Sequence, residues 1–138
     1  MREILFRGKQ EYKNKEWVFG SLHSEYGETD KNGQRKIDYR ILGMRGECDY
    51  VLSETFGQFT GLTDKNGKKI FEGDIIKIPD DYDEFGINAG EVYEVYFSFG
   101  GFRLKPKRSN AKGFWLEDDK TVEILGNIHD NPELLENP

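Results

Sequence analysis

The sequence predicts a mainly β protein, because short runs of alternating apolar and polar residues dominate it. Sixteen glycines separate these runs, and the 3.6-residue periodicity of amphipathic helices is nearly absent. Only 36% of the 138 residues are apolar, but 10 Phe, 7 Tyr and 2 Trp side chains each bury a large area. We therefore expect a folded chain with a thin, aromatic core and not a disordered one.

Three segments in the first half of the chain are predicted strands, at residues 4–6, 17–22 and 37–41. The last of them alternates cleanly, which places Ile37, Tyr39 and Ile41 on one face of the sheet. Residues 53–57 lack strong periodicity, and the charge balance changes near them. The sequence therefore predicts an N-terminal β-subdomain over residues 1–55 and a second domain over residues 56–138.

The clearest local prediction is a β-hairpin that starts at residue 93. The apolar side chains that alternate along its first strand are Tyr93, Val95, Phe97 and Phe99. Gly100 and Gly101 then supply a two-residue turn that tolerates positive φ angles. Phe102 and Leu104 continue the same apolar face on the returning strand.

Two further strands and a short helix complete the predicted elements. Residues 75–78 form a strand that Pro79 ends, and Val122 and Ile124 begin the last strand. Residues 131–136 are a predicted short C-terminal helix. Its start is favoured by Asn131 as the cap, Pro132 at the first position and Glu133 in the first turn.

The charge of the chain is unevenly distributed. Residues 1–50 carry 10 basic and 9 acidic side chains, whereas residues 51–138 carry 10 basic and 17 acidic, for a total of −6. An acidic chain is a poor candidate for non-specific binding to nucleic acid.

There is no apolar run of about 18 residues that would cross a membrane, and residues 1–7 lack the apolar core of a signal peptide. We expect a cytoplasmic protein with no membrane partner.

Catalytic and metal-binding patterns are weak, so we expect a protein that is not an enzyme and uses no cofactor or metal. Cys48 is the single cysteine, which excludes an internal disulfide. It lies between two acidic residues, whereas an activated thiol needs an electropositive setting. The two histidines, His23 and His129, have no cysteine-rich zinc pattern beside them. The acidic residues of the 80–84 loop do not match EF-hand spacing, and whether they bind a cation stays open.

One five-residue sequence occurs twice. Thr-Asp-Lys-Asn-Gly stands at residues 29–33 and again at residues 63–67. A duplicated ligand loop is one interpretation, but Asp, Asn and Gly are also good turn residues. We expect both copies to be turns. The aspartate of the 72–74 segment, Asp74, is likewise expected to bond to backbone at a turn.

A basic cluster follows the predicted hairpin turn. Five basic residues occur within ten positions, and Trp115 follows them; the set is Arg103, Lys105, Lys107, Arg108, Lys112 and Trp115. This combination is typical of proteins that bind single-stranded nucleic acid, because basic side chains contact the phosphates and aromatic rings stack on the bases. Alternatively, Phe102 and Trp115 belong to the core, and the basic residues keep an aromatic hairpin soluble. The acidic segments 80–84 and 117–119 would oppose a phosphate backbone.

The long segments 56–76 and 122–136 resemble the signature and the ending of the YopX family of phage and prophage proteins. Residues 4–7 and 17–20 fit the opening of that family. The resemblance implies a C-terminal SH3-type β-barrel, and it carries over no catalytic residue. Five short strands between residues 70 and 128 are also compatible with closure into a small barrel.

The sequence therefore favours a phage or prophage binding module that is not an enzyme. We expect its partner to be a protein, from the host, from the phage or a second copy of the chain. The alternative is a single-stranded nucleic-acid-binding barrel that uses the basic cluster. Two further hypotheses are an acidic decoy that imitates nucleic acid and a metal-dependent hydrolase or nuclease.

Overall fold

The computed structural model describes residues 3–12, 14–80, 90–107, 114–116 and 121–136. Within these ranges it consists of β-strands and one 3₁₀ helix, which confirms the prediction of a mainly β protein. No helix in this part of the chain is both long enough and apolar enough to cross a membrane. Contacts divide the chain into two compact units, Met1–Phe59 and Thr60–Pro138.

The N-terminal unit contains β1 Phe6–Lys9, β2 Trp17–Thr29, β3 Arg35–Leu42, β4 Cys48–Val51 and the start of β5 Gly57–Thr63. These strands belong to an antiparallel sheet with the order β4-β3-β2-β1-β5-β6, in which β6 is Lys69–Phe71. Ile41, Val51 and Phe59 are the buried apolar side chains of the N-terminal unit. The predicted strand at residues 4–6 in fact begins at Phe6, and β5 crosses the boundary between the units.

Strand β2 is long because it uses two partners in succession. Its first four residues pair with β1, and from Ser21 onward it pairs with β3. Gly20 lies at the change of partner, where a Cβ atom would collide with the carbonyl oxygen of Leu42. Only glycine therefore lets β3 approach β2 at this point. The sequence predicted no strand beyond residue 22, because residues 23–29 are almost entirely polar.

The free side of β4 in this unit is reached by residues that follow β1. Gln10 and Val51 form an isolated antiparallel bridge. The backbone N–H of Leu52 donates to the carbonyl of Lys9 at 2.9 Å, and the N–H of Glu11 donates to the carbonyl of Tyr50 at 2.9 Å. These bonds protect an edge that would otherwise be open to another strand.

The remaining strands are β7 Asp74–Lys77, β8 Val92–Ser98, β9 Gly101–Pro106, β10 Phe114–Trp115 and β11 Glu123–Asn127. These five form an antiparallel sheet of the C-terminal unit with the strand order β10-β9-β8-β7-β11. The core consists of Ile70, Ile76, Ile78, Tyr93, Val95, Leu104 and Val122. Within the described residues the sheet does not close on itself, so the SH3-type barrel is not confirmed.

The predicted hairpin is present, but its turn lies one residue earlier than expected. Ser98 pairs with Gly101, so the two turn residues are Phe99 and Gly100, with φ angles of 50° and 80°. The register follows from the pairing of Val95 with Leu104, because this pairing buries both side chains. The expected Gly100-Gly101 turn is therefore wrong.

The predicted C-terminal helix is a 3₁₀ helix of four residues, Pro132–Leu135. Pro132 and Glu133 occupy its first turn, as the sequence predicts. Asn131 does not cap the helix with its side chain. Its Oδ1 atom instead accepts the backbone N–H of Asn127 at 3.2 Å, because the preceding turn needs that acceptor.

Both copies of the repeated sequence form the same turn. Asp30 Oδ1 accepts the N–H groups of Asn32 and Gln34 at 2.8 and 3.0 Å. Asp64 Oδ1 accepts the N–H groups two and four residues later, at 2.8 and 2.9 Å. The interpretation as turn chemistry is confirmed at both positions.

Candidate partner-binding surface

The outer end of the β8–β9 hairpin carries a group of exposed aromatic and basic side chains. We call the face formed by Phe99, Arg103, Lys105 and Trp115 the hairpin surface. Arg103 pairs with Trp115 across β9 and β10, which places the two side chains on one face. Lys105 lies two residues further along β9 and therefore points to the same face.

Arg103 lies between two aromatic rings. Its guanidinium carbon is 4.6 Å from the centroid of the Trp115 ring and 5.5 Å from that of the Phe99 ring. Both distances are in the range of cation–π attraction. The Nε atom of Arg103 is buried and has no hydrogen-bond partner among the described residues. The rings therefore hold this positive charge in a defined place at the surface.

The aromatic side chains around this arginine are open to solvent. Phe99 is 86% exposed, Phe97 is 53% exposed and Trp115 is 47% exposed. Phe97 contacts Phe102 edge to face on the other side of the hairpin, with ring centroids 5.3 Å apart. The turn of the hairpin therefore exposes aromatic rings on both of its faces.

The backbone of Phe99 is strained. Its φ angle of 50° lies in the left-handed region, which Gly, Asn and Asp adopt readily but bulky residues adopt rarely. A non-glycine residue in this region costs about 1–3 kcal/mol. The chain therefore carries a conformational cost at the one turn position that displays a phenyl ring to water. This combination makes Phe99 a candidate for contact with a partner.

The tight packing of Trp115 against the hairpin depends on Gly101. A Cβ atom at Gly101 would collide with the Cζ3 atom of the Trp115 ring. The six-membered ring of the indole therefore lies against the start of β9, next to Arg103. This contact explains why a half-exposed tryptophan has a defined position.

The structure brings together some of the residues predicted as a binding cluster. Arg103, Lys105 and Trp115 share the hairpin surface, whereas Lys107 is half-buried and its backbone N–H donates to Val92 at 3.0 Å. Arg108, Lys112 and the acidic segment 117–119 lie outside the described residues. Trp115 is half-exposed, so the alternative that places it in the core is wrong.

Sequence reasoning missed the exposure of Phe97 and Phe99, which alternation had assigned to the buried face. The missed signal is the loop length: a two-residue turn compatible with the Val95–Leu104 pairing has to use Phe99.

The other candidate groups do not form a larger site in the described part of the chain. Cys48 is exposed, and Arg40 donates to its sulfur at 3.8 Å. No group of three or more His, Cys, Asp or Glu side chains that could hold a metal is found among the described residues. Of the acidic residues in the 80–84 loop only Asp80 is described, and its carboxylate lies 3.4 Å from the Lys77 amine.

The polar residues of the long family-like segments bond to nearby backbone. Asp74 accepts the N–H of Phe71 at 2.8 Å, which confirms its expected role in a turn. Asn127 Oδ1 accepts the N–H groups of His129 and Asp130 at 3.0 and 2.9 Å. These side chains stabilise turns that connect the strands.

Asp64 has the same structural role in a buried position. Besides the turn, it accepts the N–H of Ile124 in β11 at 3.2 Å. Burial by itself raises the pKa of the Asp64 carboxyl, but the backbone N–H bonds and the nearby Lys68 charge outweigh burial. They hold the pKa below its ordinary value of 3.8, so the carboxylate stays ionised at neutral pH.

Comparison with known proteins supports the family resemblance of the sequence. The "SPbeta prophage-derived uncharacterized protein YopX" of Bacillus subtilis (strain 168) is 36% identical over 75 residues. That match covers 51% of this chain and 52% of that protein, so it spans about half of the curated relative. The crystal structure of protein EF1440 from Enterococcus faecalis matches 99% of this chain and 100% of its own, with 25% identity and a TM-score of 0.54. The model of the YopX protein family matches residues 5–136, and the chain therefore belongs to the YopX protein family.

Proposed function

We propose that this protein is a prophage-encoded binding module of the bacterial cytoplasm, without enzymatic activity, that binds another protein through the hairpin surface. The prophage origin of the Bacillus subtilis relative supports the first part. The observation that carries the second is Phe99, a strained and 86% exposed ring beside an arginine held between two rings. Aromatic residues and arginine are the side chains most enriched at the centres of protein interfaces.

The charges near the hairpin surface favour a protein over a nucleic acid. The Arg103 guanidinium already contacts two rings, and Glu94 lies directly across the strands from Lys105. The chain as a whole carries a charge of −6. A nucleic-acid site draws most of its affinity from unopposed positive charge, which is limited on this face.

The SH3-type barrel remains part of the proposal for residues 56–138. Its support is the antiparallel order β10-β9-β8-β7-β11 and the single apolar core that this order encloses on one side. Small β domains of this kind bind partners through hairpins and loops that project from a rigid sheet. The hairpin surface has this position.

Affinity capture from lysate of a prophage-carrying host tests the proposal. The bait is the full chain, used as wild type, as Phe99→Asn and as the control Tyr26→Ser, whose ring is 72% exposed in the N-terminal unit. We expect the wild type and the control to retain a protein after nuclease treatment, and Phe99→Asn to lose most of it. Equal capture by all three baits would contradict the role of the hairpin surface.

Single-stranded nucleic acid is the second candidate partner, because Lys105 and Arg103 share a face with Trp115. Titration of a fluorescent oligothymidine at two salt concentrations tests it. Binding that weakens steeply with salt and is lost in Lys105→Glu, but not in the exposed control Lys36→Glu, would support this candidate. Binding equal in both variants would exclude the hairpin surface as a nucleic-acid site.

A further inference from the structure

A second binding feature lies in the N-terminal unit. A cleft of about 370 Å³ lies beside the β3–β4 loop, and its apolar lining includes Phe19, Ile41 and Met44. This volume is in the range of functional clefts. Phe19 is 48% exposed and Met44 is 97% exposed, so the apolar part of the cleft continues onto the open surface.

The loop that forms one wall of this cleft has a defined conformation. The N–H of Gly43 donates to the carbonyl of Glu47 at 2.8 Å, and the N–H of Arg45 donates to the Glu47 carboxylate at 3.1 Å. These bonds hold Met44 at the tip of the loop. The cleft is therefore formed before any ligand arrives, which lowers the entropic cost of binding.

The charged lining of the cleft is acidic on balance. It contains the carboxylates of Glu47 and Asp49 and the single guanidinium of Arg45. The hairpin surface has the opposite sign on balance, because Arg103 and Lys105 accompany its aromatic rings and the single carboxylate of Glu94 lies across the strands from Lys105. The two features are therefore complementary in charge.

The shapes are complementary as well. The hairpin surface ends in a projecting two-residue turn with an exposed phenyl ring, whereas the cleft is concave with an apolar lining. Contact between two hairpin surfaces would bring Arg103 and Lys105 of both copies together, and contact between two clefts would do the same for the carboxylates. Like charges at an interface are unfavourable, so a contact between unlike features is preferred.

We propose that the cleft of one copy of this protein receives the hairpin surface of a second copy, with Phe99 as the inserted side chain. This inference rests on the proposed function, since it names one partner of the same surface. The contact is head-to-tail, so in a pair one copy keeps an unused hairpin surface and the other keeps an unused cleft, and further copies can add. A contact built on one hairpin end is smaller than a standard stable interface, so association is weak and depends on concentration.

Sedimentation velocity of the full chain, from about 10 µM to about 1 mM, tests the proposal because weak contacts form in this range. The hairpin variant is Phe99→Asn, which keeps a residue suited to the left-handed turn. The cleft variant is Met44→Lys, which places a positive charge opposite Arg103 at a fully exposed position. The control is Tyr26→Ser, which lies outside both features.

We expect the weight-average sedimentation coefficient of the wild type and the control to rise with concentration, and each variant alone to remain monomeric. An equimolar mixture of the two variants should form a one-to-one dimer, because one supplies an intact cleft and the other an intact hairpin surface. A monomeric wild type, association of either variant alone, or a mixture that stays monomeric would each overturn the proposal. A monomeric wild type that still captures a protein through Phe99 would leave the proposed function standing.

Discussion

Asp30 and Asp64 form the same local turn, but burial makes the contribution of Asp64 to stability larger. Both carboxylates accept the backbone N–H groups two and four residues later, so the local turn is identical. Asp30 is exposed, whereas Asp64 is 2% exposed and also accepts the N–H of Ile124. Removal of a buried acceptor leaves several N–H groups without a partner and without water.

The paired aspartates give a prediction with an internal control. We expect Asp64→Ala to lower the free energy of unfolding by about 3 kcal/mol, because charged hydrogen bonds are lost in a buried setting. The matched Asp30→Ala variant should lose about 1 kcal/mol or less, because water replaces the exposed carboxylate. Urea denaturation measures both values, and equal losses would contradict the role assigned to burial.

We expect substitution of Phe99 by Asn to impair binding with little change in the stability of the protein. Asn adopts the left-handed turn without the strain of Phe, but it lacks the ring that contacts Arg103. We expect Phe99→Asn to change the free energy of unfolding by less than about 1 kcal/mol, since the two effects oppose each other. Phe99→Val should be less stable than Phe99→Asn by about 1–2 kcal/mol, because β-branched residues are strained at positive φ. Thermal unfolding compares the two, and a more stable Val variant would show that the turn is not strained.

At the scale of elements, partner strands decide where each predicted strand ends. The polar second half of β2 is a strand because β3 pairs with it, and Gly20 permits the change from one partner to the other. In the β8–β9 hairpin, alternation extends to Phe99, but burial stops at Val95 where the core ends. Beyond that point the same pattern places aromatic rings in solvent.

The packing of β10 on the hairpin gives a prediction about Gly101. We expect Gly101→Ala to displace the Trp115 ring from Arg103, because the added methyl group would occupy the position of the indole. Trp115 is 47% exposed and has room to move, so the free energy of unfolding should fall by only about 1 kcal/mol.

Trp115 fluorescence, recorded in a Trp17→Phe background, measures the displacement. A red shift of the emission with loss of capture is the expected result. Unchanged emission and unchanged capture would show that the position of Trp115 does not depend on Gly101.

At the scale of the whole molecule, two of the buried titratable groups in the C-terminal unit have shifted pKa values that limit the pH range of stability. The pKa of Asp64 is lowered from 3.8, so its contribution is complete above that pH and is lost as the pH falls towards the folded value. Burial raises the pKa of Tyr93 above 10.0, so its contribution is complete below pH 10 and is lost as the pH rises through the folded value.

This pH dependence is measurable with two variants. We expect the free energy of unfolding of the wild type to decline below about pH 4 and above about pH 10. Asp64→Asn should flatten the acidic decline, and Tyr93→Phe should flatten the alkaline one, because each removes one ionisable group. If the free energy of unfolding of Tyr93→Phe declines above about pH 10 as steeply as that of the wild type, other residues cause the decline.

Part of the fold and of the candidate site is predictable from local sequence. Alternation identified Tyr93, Val95 and Leu104 as one face, and all three are buried. Turn chemistry identified the two Thr-Asp-Lys-Asn-Gly turns, because Asx hydrogen bonds form within a few residues. The short strand β4 and the later part of β2 were missed, because their sequences become strands only through hydrogen bonds to the neighbouring strand β3.

The sequence by itself determined the mainly β class, the repeated turns and the resemblance to the YopX family, because alternation, turn residues and motifs are local properties of a chain. Only the tertiary structure decided that Asp64 is buried while Asp30 is exposed, and that Phe99 projects into water while Val95 lies in the core. It also placed Arg103 between Phe99 and Trp115. Burial and cross-strand contact depend on the register of paired strands and on their packing, which a local pattern does not specify.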